Sequence, residues 1–266
     1  MQKIVFFDID GTLVGPSDTI TPSALRTIQA LHKRGVKTAI ATGRSGLEMD
    51  WFKENHPVEL FDILIYGNGT QIEMDGKMIS KQYINPKEVA DIIQVARRHD
   101  IVYGVLDDKT IRISAQNHPL LDSFMDGAFA GMAELHDPDY HLTHNIYSGF
   151  LLTDMRQAPL FDPVINQCEV VQGIKVGGGV GNHLDFWRKD VTKATAIHQV
   201  VELLGSSMEY VYAVGDGFND IQMLEEAGVG IAMGNAHPDV QKYADFVTRP
   251  YYQDGIEYAM QHFGLI

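Results

Sequence analysis

Lys3-Ile4-Val5-Phe6-Phe7-Asp8-Ile9-Asp10-Gly11-Thr12 sets two carboxylates at the end of an apolar run close to the N-terminus. Ile4 to Phe7 show no polar alternation, which reads as a strand buried on both faces, the habit of a parallel sheet. Its carboxyl end then opens toward solvent. Side chains two apart on an extended strand point to the same side, so Asp8 and Asp10 are expected to converge on one small volume. Like charges so close raise one pKa unless a metal or a proton sits between them. Gly11 lets the chain turn away. The arrangement suits a nucleophilic carboxylate with an acid/base carboxylate beside it and a hard divalent cation holding both. Asp-x-Asp-Gly also occurs in calcium loops and ordinary turns, so the remainder of the chain has to decide.

The chain has 266 residues, of which 45% are hydrophobic, enough for one large domain or two modest ones with a real core. A single cysteine, Cys168, excludes an intramolecular disulfide and a multi-cysteine zinc site; it favours a reducing compartment and reads as a small core residue. No basic-then-apolar leader precedes the first strand, and no apolar run approaches the roughly 18 to 20 residues of a membrane span. The cytoplasm is therefore the expected location, with no membrane partner. A formal net charge of -14 argues against nucleic acid, whose phosphate backbone is bound by clustered lysine and arginine. A small phosphorylated ligand remains compatible, since one lysine and a helix N-terminus make a local positive site.

From Thr21-Pro22, the spacing of Leu25, Ile28 and Leu31 predicts an amphipathic helix capped by Thr21 and followed by Gly35. Val36 to Thr42 reads as a second strand, which completes a βαβ unit. After a helical stretch from Leu47 to Lys53, Asp62 to Tyr66 reads as a third strand ending in Gly67-Asn68-Gly69. The same grammar returns with strands at Tyr210 to Val214, Gly230 to Met233 and Asp245 to Thr248. The middle differs: a helix at Pro86 to His99 precedes strands at Ile101 to Leu106 and Thr110 to Ser114, and a helix near Ala158 to Gln167 precedes Glu169 to Val176 and His183 to Trp187. Gly177-Gly178-Gly179 with Gly181 fits a hairpin connection between the last two. The expected fold is thus α/β: a Rossmann-like parallel-sheet core with helices on both faces, formed by residues 1–82 and 184–266, carrying an inserted α+β cap at 83–183.

Thr42-Gly43-Arg44 stands where the second strand gives way to a helix, so its hydroxyl and backbone N–H groups can receive a phosphate oxygen, although a threonine there is also a routine N-cap. Lys193 opens an amphipathic stretch and on its own reads equally as a solvated helix lysine. Gly215-Asp216-Gly217-Phe218-Asn219-Asp220 brings two more acids to the end of a strand, with Asp220 a candidate helix cap. Two acidic clusters on parallel-type strands, with a hydroxyl and a lysine near element ends, describe a metal and phosphate site.

These four segments resemble, in order, the motifs of haloacid dehalogenase superfamily phosphatases of the Cof-like group. The tail segments Met233-Gly234-Asn235-Ala236 and Ala244 to Thr248, with Asp254-Gly255, and the pair Asn68-Gly69 resemble that group too, so the likeness covers nearly the whole chain. Ala194 departs from it where relatives often carry glycine. The resemblance implies that Asp8 is the nucleophile, forming an aspartyl-phosphate, and that Asp10 is the general acid and base. It implies Mg²⁺ held by the Asp8 carboxylate, the Asp10 backbone carbonyl and the Asp216 carboxylate, with Asp220 in an outer position. Thr42, the Gly43 N–H, Lys193 and Asn219 would hold the phosphoryl oxygens. Asn68 stays a loop residue without a role.

The implied function is a Mg²⁺-dependent phosphatase of small phosphorylated metabolites, sugar phosphates foremost. The alternatives are a sugar phosphomutase on the same scaffold and a phospho-accepting signalling module, against which Asp10 speaks because it promotes turnover. His141, His144 and Trp187 in the cap are open to a specificity role but read equally as packing or surface residues, and the oligomeric state is not legible.

Overall fold

The computed structural model describes residues 2–115, 134–153, 155–166, 174–176 and 183–266. Within them the chain divides into two compact units: Met1–Ser45, Met49–Lys81 and Thr192–Ile266 form the first, and Gln82–Val191 with Gly46–Glu48 form the second.

The first unit is built on an eight-stranded sheet of order β14-β13-β12-β1-β2-β3-β4-β5. Its strands are β1 Ile4–Phe7, β2 Lys37–Ala41, β3 Ile63–Tyr66, β4 Gln71–Met74, β5 Lys77–Lys81, β12 Val211–Gly215, β13 Val229–Ala232 and β14 Phe246–Val247. The six from β14 to β3 are parallel, and β4 and β5 add an antiparallel hairpin that the local pattern had not signalled. The strand at Ile4–Phe7 is fully buried because both of its faces are covered. Val5 and Phe7 pack with Ile28 and Leu31 of the helix Pro22–Lys33 and with Ile256 of the helix Gly255–His262. Ile4 and Phe6 pack with Ile197 and Val200 of the helix Lys193–Leu203. Each such side chain withdrawn from water contributes about 1.5–3 kcal/mol, which explains the absence of polar alternation. The Thr21 cap is formed as its sequence suggests, with Thr21 Oγ1 accepting from Ala24 N–H at 3.3 Å ahead of Pro22.

The second unit carries a six-stranded sheet of order β10-β11-β9-β6-β7-β8. Its strands are β6 Val102–Leu106, β7 Ile111–Ile113, β8 Glu134–His136, β9 Ser148–Leu152, β10 Ile174–Val176 and β11 Leu184–Arg188. The helix Pro86–Arg98 lays Val89, Ile92, Ile93 and Ala96 against Tyr103, Val105, Leu151 and Phe186. Because β11 pairs with β9, residues 184–191 belong to this unit, and the core resumes at Thr192 rather than at 184. The helix expected near Ala158 to Gln167 is instead a 3₁₀ segment Met155–Phe161, with Pro159 inside it, followed by a short helix Asp162–Asn166. Proline lacks the N–H a continuous α-helix requires there. Cys168 and the Gly177-Gly178-Gly179 hairpin lie outside the described residues. Among the described residues, no helix is long and apolar enough to cross a membrane.

Candidate active site

Parallel strands put all their carboxyl ends on one edge, and the core uses that edge. Asp8 follows β1, Thr42 follows β2, Gly67-Asn68-Gly69 follows β3, Asp216 follows β12 and Asn235 lies just beyond β13. Connections leave β1 toward β2 on one side, while β12, β13 and β14 extend the other, so β1 and β12 flank the point where strand order reverses. Open α/β sheets bind ligands there. Asp8 N–H continues the ladder by donating to Val214 O at 2.9 Å, which fixes the first acidic residue against the second acidic loop.

Lys193 enters this edge from the first turn of its helix, whose start is set by the capping box of Thr192 and Thr195. Its side chain is 1% exposed, and Nζ donates to Asp8 Oδ1 and to Asp220 Oδ1, both at 2.6 Å. It is therefore no solvated helix lysine. Burial disfavours its charge, but the Asp220 and Asp8 carboxylates outweigh burial and hold its pKa above the ordinary lysine value. For Asp8, burial and then Asp220 push the carboxyl well above the carboxylate range, against the opposing pull of Lys193. One ammonium cannot balance three acids. Asp216 shows the same deficit, raised to about 6 by burial and by Asp220.

Asp8, Asp216 and Asp220 can each offer a carboxylate oxygen within 4.8 Å of one another, and all-oxygen donors of this kind suit a hard divalent cation. They are not equally available. Asp220 is fully buried, gives Oδ1 to Lys193 and receives at Oδ2 the N–H groups of Asp216 at 3.0 Å and Gly217 at 2.8 Å. Both of its oxygens are engaged by protein donors. Among the described residues none donates to Asp8 Oδ2, and Asp216 is held by Asn235 Nδ2 at 3.0 Å on Oδ2 and by Thr12 Oγ1 at 3.5 Å on Oδ1. Gly11, at φ +78°, passes so close to Asp216 that a Cβ there would overlap its carboxylate.

Asp10 departs from expectation. Its side chain lies outside the acidic group and is 61% exposed, and Arg44 holds it through Nε to Oδ2 at 3.0 Å and Nη2 to Oδ1 at 2.7 Å. The same guanidinium binds Asp18 through Nη1 at 3.3 Å and Nη2 at 2.5 Å, and lies 5.1 Å from the centroid of the Phe52 ring. Two carboxylates on one planar fork draw Asp10 off the line that alternation along a strand predicts. Burial opposes the charge of Arg44, and Asp10 and Asp18 more than restore it, raising its pKa.

Thr42 is buried, and its Oγ1 accepts from Arg44 N–H at 3.2 Å. It caps no helix, because the next one begins only at Gly46. Asn219 sits in the turn Phe218–Asp220, its Nδ2 3.0 Å from Asn68 Oδ1. Asn235 is the residue whose role was not read locally. It donates to Gly11 O at 2.8 Å as well as to Asp216, and accepts from Tyr251 N–H at 3.1 Å, which ties three loops together. Its only signal in the sequence is its place in a segment just beyond a strand.

Residues 5–260 match the family described as haloacid dehalogenase-like hydrolases. A Streptococcus pyogenes protein provisionally named a bifunctional phosphatase/peptidyl-prolyl cis-trans isomerase is 30% identical over 99% of this chain, which spans 54% of that protein's length. The HMP-PP phosphatase of Cronobacter sakazakii is 31% identical, covering 90% of this chain and 87% of the relative. Among solved structures, the subclass IIB sugar phosphatase BT4131 superposes with a TM-score of 0.84 at 28% identity, covering 100% of both chains. The chain belongs to the haloacid dehalogenase-like hydrolases, in their Cof-like branch, and its class is phosphoric monoester hydrolase.

Proposed function

We propose that the protein is a Mg²⁺-dependent phosphatase that releases phosphate from small phosphorylated metabolites, sugar phosphates first among them, through an aspartyl-phosphate on Asp8. The observation that carries this reading is the buried Asp8 carboxylate with one oxygen held by Lys193 at 2.6 Å and the other free at the edge of the sheet. A carboxylate so held presents a single oxygen for attack. Asp8 Oδ2 forms a bond to phosphorus as the bond to the leaving alcohol breaks, and Asp10 gives the alcohol its proton. Asp10 then takes a proton from water, whose oxygen attacks phosphorus and frees Asp8. To do so, Asp10 exchanges its pair with Arg44 for the leaving oxygen. Thr42 Oγ1, the Gly43 N–H, Lys193 Nζ and Asn219 Nδ2 hold the phosphoryl oxygens as charge shifts among them. The Asp8 and Asp216 carboxylates and the Asp10 backbone carbonyl would hold the metal, with Asp220 behind them. Bound there, Mg²⁺ supplies Lewis-acid polarisation of the phosphoryl group and neutralises charge on the acidic cluster.

Every residue given a chemical role lies in the first unit, and the family resemblance assigns the choice among phosphorylated substrates to the inserted unit. The names of relatives, one a sugar phosphatase and one an HMP-PP phosphatase, support a small phosphorylated substrate. The net charge of -14 agrees with a free metabolite rather than a nucleic acid.

The test is phosphate release from a panel of sugar phosphates, nucleotides, and flavin and pyridoxal phosphates, with Mg²⁺ and with chelator, for wild type and Asp8→Asn. Release that needs the metal and vanishes in the variant is expected. Interconversion of sugar-phosphate isomers without release would replace the phosphatase by a mutase, and silence in both assays would sink the enzymatic reading.

A further inference from the structure

The turn Gly67-Asn68-Gly69 after β3 meets three of the segments proposed to hold the phosphate. Gly67 N–H donates to Arg44 O at 2.7 Å and Asn68 N–H to Thr42 O at 3.0 Å, so the turn grips both ends of Thr42-Gly43-Arg44. At Gly69 a Cβ would overlap the carbonyl of Thr192, the residue before Lys193. The Asn68 side chain completes the set by accepting from Asn219 Nδ2 at 3.0 Å. One three-residue turn thus meets the loops that supply Thr42, Lys193 and Asn219.

All three residues are left-handed, with φ of 59°, 55° and 105°. Among the described residues, the other non-glycine positions with positive φ are Asp18, Asp75, Asp100 and Asp254. Aspartate and asparagine tolerate this backbone for the same reason, so backbone geometry does not separate them. Charge does. At position 68 the chain carries the neutral amide, where a carboxylate would add negative charge beside Asn219 and Gly43.

The Asn219 amide is boxed by missing side chains. Its Oδ1 lies 2.6 Å from where a Cβ on Gly217 would stand, and its Nδ2 lies 3.2 Å from where one on Gly43 would stand. The nitrogen end therefore faces Gly43, and Asn68 Oδ1 lies at the same 3.2 Å from that position. An amide nitrogen carries two hydrogens. One goes to Asn68, which leaves the other for a phosphoryl oxygen.

We propose that Asn68 is a positioning residue for phosphoryl transfer: its Oδ1 takes one hydrogen of the Asn219 amide and so keeps the other directed at the phosphate. This rests on the phosphatase reading above. Without Asn68 the amide is free to turn its oxygen to the phosphate, which replaces a donor by a repelling acceptor.

The test is a double-mutant cycle on the Mg²⁺-loaded full chain with p-nitrophenyl phosphate, using Asn68→Gly, Asn219→Ala and the pair. Glycine fits the left-handed backbone, so Asn68→Gly is expected to keep the wild-type Tm. It should lower kcat about 10- to 100-fold with KM changed less than about threefold, the signature of a donor used in the transition state. The double variant should be no slower than Asn219→Ala. A kcat for Asn68→Gly within twofold of wild type, or losses that multiply in the double variant, would overturn the proposal. A second measurement does not depend on turnover. The side-chain amide resonances of Asn219, identified by their loss in Asn219→Ala, should shift when inorganic phosphate is added to the Mg²⁺-loaded wild type and not in Asn68→Gly. No shift in the wild type, or equal shifts in both, overturns the proposal even if the phosphatase reading has failed on its own substrate panel.

Discussion

Two aspartates, one in each unit, are buried to nearly the same degree and do different work. Asp8 at the end of β1 is 5% exposed, and Asp107 beyond β6 is 8% exposed. Asp107 has its oxygens filled: Oδ1 accepts from Lys109 N–H at 2.8 Å and Thr110 N–H at 3.0 Å, Oδ2 accepts a short bond from the Tyr140 hydroxyl, and its carbonyl accepts from Tyr147 Oη at 2.6 Å. Asp8 receives Lys193 on one oxygen and leaves the other open. A buried carboxylate with donors on both oxygens anchors a turn. One held on a single side by a cation, with like charges beside it, is poised to react. Asp220 follows the first pattern although it sits in the second setting, with donors on both of its oxygens.

The contrast is open to direct attack. Asp8→Asn should lower kcat by at least about 10⁴-fold while the protein stays folded, because the amide keeps the shape but cannot attack phosphorus; substantial residual turnover would remove Asp8 from the nucleophile role. Lys193→Met should cost on the order of 10²- to 10³-fold in kcat/KM. The same change should destabilise the metal-free chain by about 3–5 kcal/mol, since Asp8 and Asp220 lose their shared cation. Added Mg²⁺ should recover part of that loss in a melting experiment.

Asp107→Ala should do the reverse: about 2–4 kcal/mol of stability lost in urea titration, from two N–H groups and a hydroxyl left without an acceptor. Its turnover of p-nitrophenyl phosphate should stay within about threefold of wild type. Comparable loss of turnover and stability would erase the distinction between the two aspartates.

Titration sharpens it further. The Asp216 carboxyl is raised to about 6, so between about pH 4 and pH 6 the folded chain binds the proton more tightly than the unfolded one. Stability of the metal-free protein from this group should therefore fall as pH rises through that window. Above it, Mg²⁺ should raise the Tm, and the gain should fade below about pH 6 as proton and metal compete. The smallest effect belongs to Arg44→Lys, which keeps a cation near Asp10 and Asp18 but loses the bidentate fork, and should change kcat about 3- to 10-fold.

The parallel core was legible because its strands are covered on both faces, and its chemistry follows directly after strands with unbroken apolar runs, as at Ile4–Phe7 and Val211–Gly215. The β4–β5 hairpin was not, since Lys77–Lys81 is a largely exposed edge strand whose sequence carries little apolar pattern. In the inserted unit, Ser148–Leu152 is a central strand that pairs with both β6 and β11, and it is not among the strands expected from the sequence. His144, left open as a specificity residue, stacks on Tyr140 with ring centroids 3.7 Å apart, and His141 is buried.

The sequence by itself determined the run of parallel strands and which chemistry-bearing residues stand close behind them, through periodicity and local turn chemistry, which act over a few residues; that the four motifs form one site is what the family resemblance implies. Only the tertiary structure decided how the side chains are shared out: Asp10 to Arg44, Asp220 to Lys193 and its own loop, Asp216 to Asn235, and Asn219 to Asn68. These partners come from loops after different strands, brought together because parallel strands finish on one edge of the sheet. The choice among competing acids for few cations is made by distance and burial there, and neither can be read along the chain.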